Sequence, residues 1–196
     1  MKEIILKALE ENVSVTERFF KENTEGLLKA AERVATCFAS GHKLLIFGNG
    51  GSAADAQHIA AEFVNRFTVE RRPLPALALS TDTSVLTSIS NDYSFDEVFS
   101  KQIRALGRRD DIAFGISTSG GSKNVLVAME TARDMGLCTI GLTGCGGGEL
   151  VQRCDLCLIV DSQATARIQE SHLAAEHILC ELVERILFPE SFTEGS

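Results

Sequence analysis

Residues 43–53 read Lys43-Leu44-Leu45-Ile46-Phe47-Gly48-Asn49-Gly50-Gly51-Ser52-Ala53. The apolar run is too short for a helix and meets three glycines in the next four positions, so it reads as a strand buried on both faces that ends in a tight turn. A helical pattern starts after the turn. Apolar runs of the same kind, Ala76–Leu79, Ile112–Ile116, Cys138–Leu142 and Leu156–Val160, alternate with helical periodicity further along. Strands alternating with helices make a parallel sheet covered on both sides, so the expected fold class is α/β, a three-layer αβα sandwich on a five-stranded parallel sheet.

The first forty residues carry two helical series. Leu6, Leu9, Val13 and Phe20 recur at helical spacing; after Asn23-Thr24 a second series (Leu27, Leu28, Ala31, Val34, Ala35, Phe38) runs to Gly41, which suits a C-cap. The reading is two amphipathic helices. Phe19 beside Phe20 widens the apolar surface of the first beyond one core contact, as packing on another subunit would require. A long helix from Thr165 to Leu187 closes the chain and Pro189 stops it, leaving polar residues 189–196 as a flexible tail. Arg71-Arg72-Pro73-Leu74-Pro75 reads as a surface connection. The expected organisation over 1–196 is a single domain: a helical extension (1–40), the sandwich with its closing helix (43–188) and the tail (189–196).

The chain has 19 Lys+Arg against 27 Asp+Glu, a net charge of -8, and no basic run. Nucleic acids and anionic membranes are bound through clustered Lys and Arg, so neither is an expected partner, and an anionic ligand has to be held locally. No apolar stretch approaches the roughly 18 residues of a membrane span, and Glu3 is foreign to a signal peptide, so the expected location is cytoplasmic. The six cysteines lie mostly in apolar runs and read as reduced core residues. Cys154-Asp155-Leu156-Cys157 lacks both the second pair of a zinc site and the helix start of a redox site, and reads as structural.

Open parallel sheets bind ligands beyond the carboxyl ends of their strands. The glycines of Gly48–Gly51 would let a ligand approach the backbone, and the following helix offers unpaired N–H groups and the positive end of its dipole. The loop is neither the dinucleotide fingerprint nor a Walker loop, which needs a Lys after its last Gly, so no nucleotide cofactor is expected. A tight turn alone would also explain it. After the third strand, Ser117-Thr118-Ser119-Gly120-Gly121-Ser122 places four hydroxyls ahead of another helix, a neutral phosphate cradle in which hydrogen bonds and the dipole replace salt bridges. A plain N-cap would need only Ser122.

On the helix after the glycine loop, His58 and Glu62 share a face at a spacing that can present two ligands to one metal or pair a base with its orienting partner. Ile59, Ala60, Ala61, Phe63 and Val64 around them read as buried, where a charge needs a reason. The closing helix adds Gln169, Glu170, His172, Glu176 and His177, dense enough to face a site, although lone helical histidines are more often structural. Asn91-Asp92, after a short helical run from Ser84 to Ser90, reads either as a helix stop or as a polar ligand contact.

In order, Gly48-Asn49-Gly50-Gly51-Ser52, Gln57-His58-Ile59-Ala60-Ala61-Glu62, Asn91-Asp92, Ser117 to Ser122, and Ala166-Arg167-Ile168-Gln169-Glu170 with His177 closely resemble the bacterial phosphoheptose isomerases of the sugar-isomerase (SIS) domain superfamily, over residues 2–189. The resemblance implies a flavodoxin-like SIS fold and an enediol isomerisation of D-sedoheptulose 7-phosphate to D-glycero-D-manno-heptose 7-phosphate. That reaction is the entry to heptose for lipopolysaccharide or surface glycans. A homotetramer with sites at subunit boundaries is implied too. So are substrate contacts from Asn49, Gly50, Gly51, Ser52, Glu62, Asn91, Asp92, Ser117, Thr118, Ser119, Ser122 and Gln169, and one zinc ion among His58, Glu62, Gln169 and His177. Glu62 and His177 take the acid–base roles. Moving a proton between C1 and C2 needs a base over carbon and an acid at the carbonyl oxygen, and Glu62 is the candidate base with His177 acting on oxygen.

Gln169 and His177 would stand about 12 Å apart along a straight helix and diverge by about 80°. Either the side chains reach toward each other, the helix bends, or the two ligands come from different subunits. An alternative function comes from a replication regulator of the same superfamily, a tetrameric platform for the replication initiator protein, which this chain resembles around Arg66-Phe67, Gly147-Gly148-Glu149-Leu150 and Leu187-Phe188-Pro189. The acid at Glu62 and the imidazole at His177 favour the isomerase.

Overall fold

The computed structural model describes residues 1–192. Strands β1 (Leu44–Gly48), β2 (Ala76–Ala78), β3 (Ile112–Ser117), β4 (Cys138–Thr143) and β5 (Leu156–Ile159) form one parallel sheet in the order β2-β1-β3-β4-β5. The order reverses between β1 and β3, where Gly48 stands opposite Ile116, so the loops that leave these two strands lie side by side. Helices α1 (Lys2–Ala39), α2 (Gly51–Val64) and α6 (Thr165–Leu187) cover one face, and α4 (Val98–Leu106) and α5 (Lys123–Asp134) cover the other, with α3 (Thr83–Asp92) beside them. Alternation along β1 sorts the core. Leu44 and Ile46 join Phe38, Phe63, Ile168 and Leu179 on one side, while Leu45 and Phe47 join Phe99, Ile103, Val125 and Met129 on the other.

The two helices expected over residues 1–40 are one unbroken helix. Asn23 does not stop it, because its carboxamide is satisfied by the preceding helical turn and by β5. Nδ2 donates to the Phe19 carbonyl at 3.0 Å and the Ile159 carbonyl at 3.2 Å, and Oδ1 accepts from the Ile159 N–H at 3.4 Å. Asn23 thus covers the free edge of β5, and the Thr24 hydroxyl bonds back to Phe20. The expected cap at Gly41 is present, with φ at +79° and the His42 N–H reaching the Cys37 carbonyl. Phe19 is fully buried, so the apolar surplus of α1 lies elsewhere, at Ile4, Ile5, Leu6, Leu9 and Val13, each 49–70% exposed.

Three other expectations are corrected. The Arg71 side chain is not on the surface but buried against Glu184. Asn91 and Asp92 form the last turn of α3 instead of following it. Pro189–Phe192 is a 3-10 turn with Arg185 over the Phe192 ring, not a frayed tail; 193–196 lie outside the described residues. All six cysteines are free thiols. Among the described residues no helix is long and apolar enough to cross a membrane.

Candidate active site

Two loops at the carboxyl ends of β1 and β3 make the floor of the site. In the first, Gly48 has no room for a side chain: a Cβ would lie 2.7 Å from the Ile116 carbonyl and 2.8 Å from Ser52 Cβ. Gly50 takes φ +57° to turn the chain into α2, and a Cβ on Gly51 would strike the Gln169 carboxamide, which lies across the helix start. Ser52 is buried beneath this turn.

In the second loop the Ser117 hydroxyl donates to the Ser122 hydroxyl at 3.0 Å, and the Gly121 N–H donates to the Ser119 hydroxyl at 3.2 Å. Ser122 occupies the N-cap position of α5 without capping it through its side chain. An anion at this helix start would be met by the N–H groups of Lys123 and Asn124, the Val125 N–H being taken by Asn124 Oδ1. Lys123, the first residue of α5, is tied to Asp96 at 2.6 Å. The glycine-rich segment Cys145–Arg153 and its N-cap Gly144 support this loop: the Leu150 N–H donates to the Gly120 carbonyl at 3.0 Å and the Gly144 N–H to the Thr118 carbonyl at 3.1 Å.

Asn124 is a residue that sequence reasoning missed. Almost fully buried, it exchanges two hydrogen bonds of 2.8 Å with Asn49, so the two loops are joined by a carboxamide pair. Its Oδ1 also accepts from the Val125 N–H at 2.9 Å. The signal available in sequence was an Asn two residues after the hydroxyl loop.

Above the floor, α2 and α6 bring His58 and His177 together, Nε2 to Nε2 at 2.7 Å, with Glu62 Oε1 3.7 Å from His58 Nε2. One of the facing nitrogens carries the shared proton and the other accepts it. Phe67 stacks on the His177 ring at 5.5 Å between centroids. Behind Glu62, Arg71 clamps the end of α2, donating to the Glu62, Phe63 and Asn65 carbonyls and to Glu184 Oε1 at 3.0 Å. Burial would raise the Glu184 carboxyl, but N–H bonds from Thr68 and Phe67, the Thr68 hydroxyl and the Arg71 guanidinium outweigh it and hold the group below its ordinary range. This buried pair holds the segment that carries Glu62 and Phe67.

Gln169 meets Gly51, whereas His177 meets His58; with α6 continuous between them, Gln169 stands two turns away from the histidine pair. Asn91 donates to Asp92 at 2.9 Å on the exposed end of α3, and neither makes a polar contact with the two loops. Among the described residues no group of three or more His, Cys, Asp and Glu side chains is set to hold a metal. The pair of imidazoles and the Glu62 carboxylate beside His58 are nonetheless of the ligand types that zinc takes. A separate cavity of about 760 Å³ beside Arg33, His42 and Cys138 opens at the amino-terminal ends of β3 and β4 and contains none of these groups.

This arrangement of loops and helices is shared with known proteins. The SIS domain family matches residues 9–144. A phosphoheptose isomerase of Nitratidesulfovibrio vulgaris is 54% identical over 94% of this chain and 89% of its own length, and one of Trichlorobacter lovleyi is 50% identical over the whole of both chains. The chain belongs to the phosphoheptose isomerase family. The solved phosphoheptose isomerase of Neisseria gonorrhoeae superposes with a TM-score of 0.89 at 43% identity, covering 93% of this chain and 98% of that one. That of Francisella tularensis gives 0.90 at 37% identity over 93% and 97%. The α/β SIS fold is thus the fold of this family, and the replication-regulator reading is not favoured.

Proposed function

We infer that this phosphoheptose isomerase family member is an enzyme that converts sedoheptulose 7-phosphate into D-glycero-D-manno-heptose 7-phosphate. The observation that carries the reading is the join between the two loops: Asn49 and Asn124 lock a glycine turn to a hydroxyl-lined helix start, and the helix leaving the first loop bears Glu62. Ser117, Thr118, Ser119 and Ser122 with the first N–H groups of α5 hold the phosphate by hydrogen bonds and dipole, with no lysine clamp. Asn49, Gly50, Gly51, Ser52 and Gln169 line the sugar chain, and Asn91 and Asp92 reach it from α3 in the assembled enzyme.

Catalysis moves one proton between two carbons. The Glu62 carboxylate takes the proton from C1 while His177 protonates the oxygen on C2, giving the enediol. His177 then takes the proton from the oxygen on C1 as Glu62 returns a proton to C2, and the aldose forms. His58, facing His177, sets which ring nitrogen of His177 carries its proton. His58, Glu62 and His177 would hold a zinc ion, which when bound would polarise the carbonyl and order the hydroxyls.

The exposed apolar stretch of α1 from Ile4 to Val13 supports a homo-oligomer, a tetramer by family resemblance, with sites completed at subunit boundaries. A cytoplasmic enzyme feeding heptose into lipopolysaccharide or surface glycans follows from the same reading. The test is heptose 7-phosphate formation by the purified protein, set beside its binding to the replication initiator. Turnover without initiator binding supports the isomerase, and the reverse overturns it.

A further inference from the structure

Cys154 and Cys157 converge on one small slot. A Cβ built on Gly141 of β4 would lie 2.7 Å from Cys154 Sγ, 3.1 Å from Cys157 Sγ and 3.3 Å from Leu150 Cγ, so the missing side chain of Gly141 leaves the space in which the two sulfurs adjoin. Cys157 pairs with Gly141 across the β4–β5 ladder, and a bend at Asp155 returns Cys154 to the same place. Both thiols are partly exposed and free. The Cys154 thiol donates to Cys157; that bond, with burial, pushes Cys154 up and draws Cys157 below its ordinary value against the opposing pull of burial. One thiol is thus poised as a nucleophile beside a second that can resolve it.

We propose that Cys154 and Cys157 form a reversible disulfide and that its closure loosens the phosphate cradle. The Cys157 thiolate attacks a low-molecular-weight disulfide, forming a mixed disulfide and releasing one thiolate. Cys154 then attacks the Cys157 sulfur, its proton passes to the second departing thiolate, and the intramolecular bond closes. Two protein thiols are oxidised and one external disulfide becomes two thiols.

The path to the cradle is short. Leu150, fully buried, shares the Gly141 slot with the sulfurs, and its backbone N–H holds the Gly120 carbonyl. Gly147 and Gly148 of the same segment pack directly on Gly120 and Ser119. Drawing Cys154 toward Cys157 therefore moves the support of Ser119 and Gly120. This second half of the proposal rests on the phosphate-cradle reading above.

The experiment incubates the native protein with oxidised glutathione, alkylates the remaining thiols after denaturation and maps the peptide 154–167, which trypsin releases between Arg153 and Arg167 with both cysteines on it. The expected peptide has lost two hydrogens, carries no alkyl group, and regains two alkyl sites after dithiothreitol. A peptide with two alkyl groups, or only glutathione adducts, overturns the disulfide whether or not the protein is an isomerase. Where the disulfide forms, the KM for sedoheptulose 7-phosphate should rise roughly tenfold with little change in kcat, on the scale expected when a positioning group shifts. Cys154→Ser and Cys157→Ser should keep the reduced KM under the same oxidant. An unchanged KM in the cross-linked protein overturns the link to the cradle.

Discussion

The carboxamides of Asn49 and Asn124 face each other across the gap between β1 and β3 and exchange two hydrogen bonds of 2.8 Å. Asn49 lies inside the glycine turn and Asn124 in the first turn of α5, so the pair fixes the distance between the glycine turn and the hydroxyl loop. Asn124→Ala removes both bonds, each worth roughly 1 kcal/mol. The expected result is a KM rise of about tenfold with a small fall in thermal midpoint. Steady-state kinetics beside a thermal melt checks it.

Gly51 lets Gln169 lie across the start of α2. Gly51→Ala puts a methyl group where that carboxamide rests, and the side chain, being flexible at its end, swings away while the helix stands. Turnover should fall by about tenfold or more, with an unchanged melt. A fall in stability equal to the fall in activity would mean that the backbone, not Gln169, had moved.

Arg71 and Glu184 are buried together, side chains 1% and 0% exposed. Removing one partner leaves the other charge unpaired inside the protein, at a cost of about 3–5 kcal/mol. Arg71→Ala should lower the urea midpoint accordingly, and its activity loss should exceed its loss of folded protein, because the carbonyls of Glu62 and Phe63 lose their anchor.

His172, fully buried on α6, is lowered to about 4 by burial, partly offset by the Thr143 backbone. The unfolded chain takes up this proton near the ordinary value of about 6.5, the folded one only near 4, so stability falls as pH drops between the two values. The loss is roughly 3 kcal/mol when complete. Urea melts from pH 7 to pH 4 should fall steeply for the native chain and less for His172→Gln. Parallel pH profiles would contradict the assignment.

Chelation tests the metal. Dialysis against a strong chelator should lower turnover by orders of magnitude and added zinc should restore it; a rate unmoved by complete metal removal would leave the ion with no part in the chemistry.

The sheet was legible because buried strands leave short apolar runs that nothing else explains; all five stand within two residues of the expected runs, and α6 spans Thr165–Leu187 as read. Two of the misreadings share one cause, polar side chains whose partners are distant in sequence. Asn23 reads as a helix stop until its bond to Ile159 is seen, and Arg71 reads as surface until Glu184, 113 residues away, is seen. The same holds for the Asn49–Asn124 lock. His58 and Glu62 were found because a helix puts i and i+4 on one face, a local rule, and His177 was found by family resemblance. Local periodicity cannot say that Gln169 meets Gly51 rather than the histidines.

The most direct measurement is turnover of sedoheptulose 7-phosphate in D2O by Glu62→Gln beside the native chain, with product deuteration read by NMR. The account predicts that the native enzyme places solvent deuterium at C2 of the heptose and that Glu62→Gln, folded and with unchanged phosphate affinity, is slower by about 100-fold to 10,000-fold. A Glu62→Gln protein that turns over at close to the native rate would contradict it.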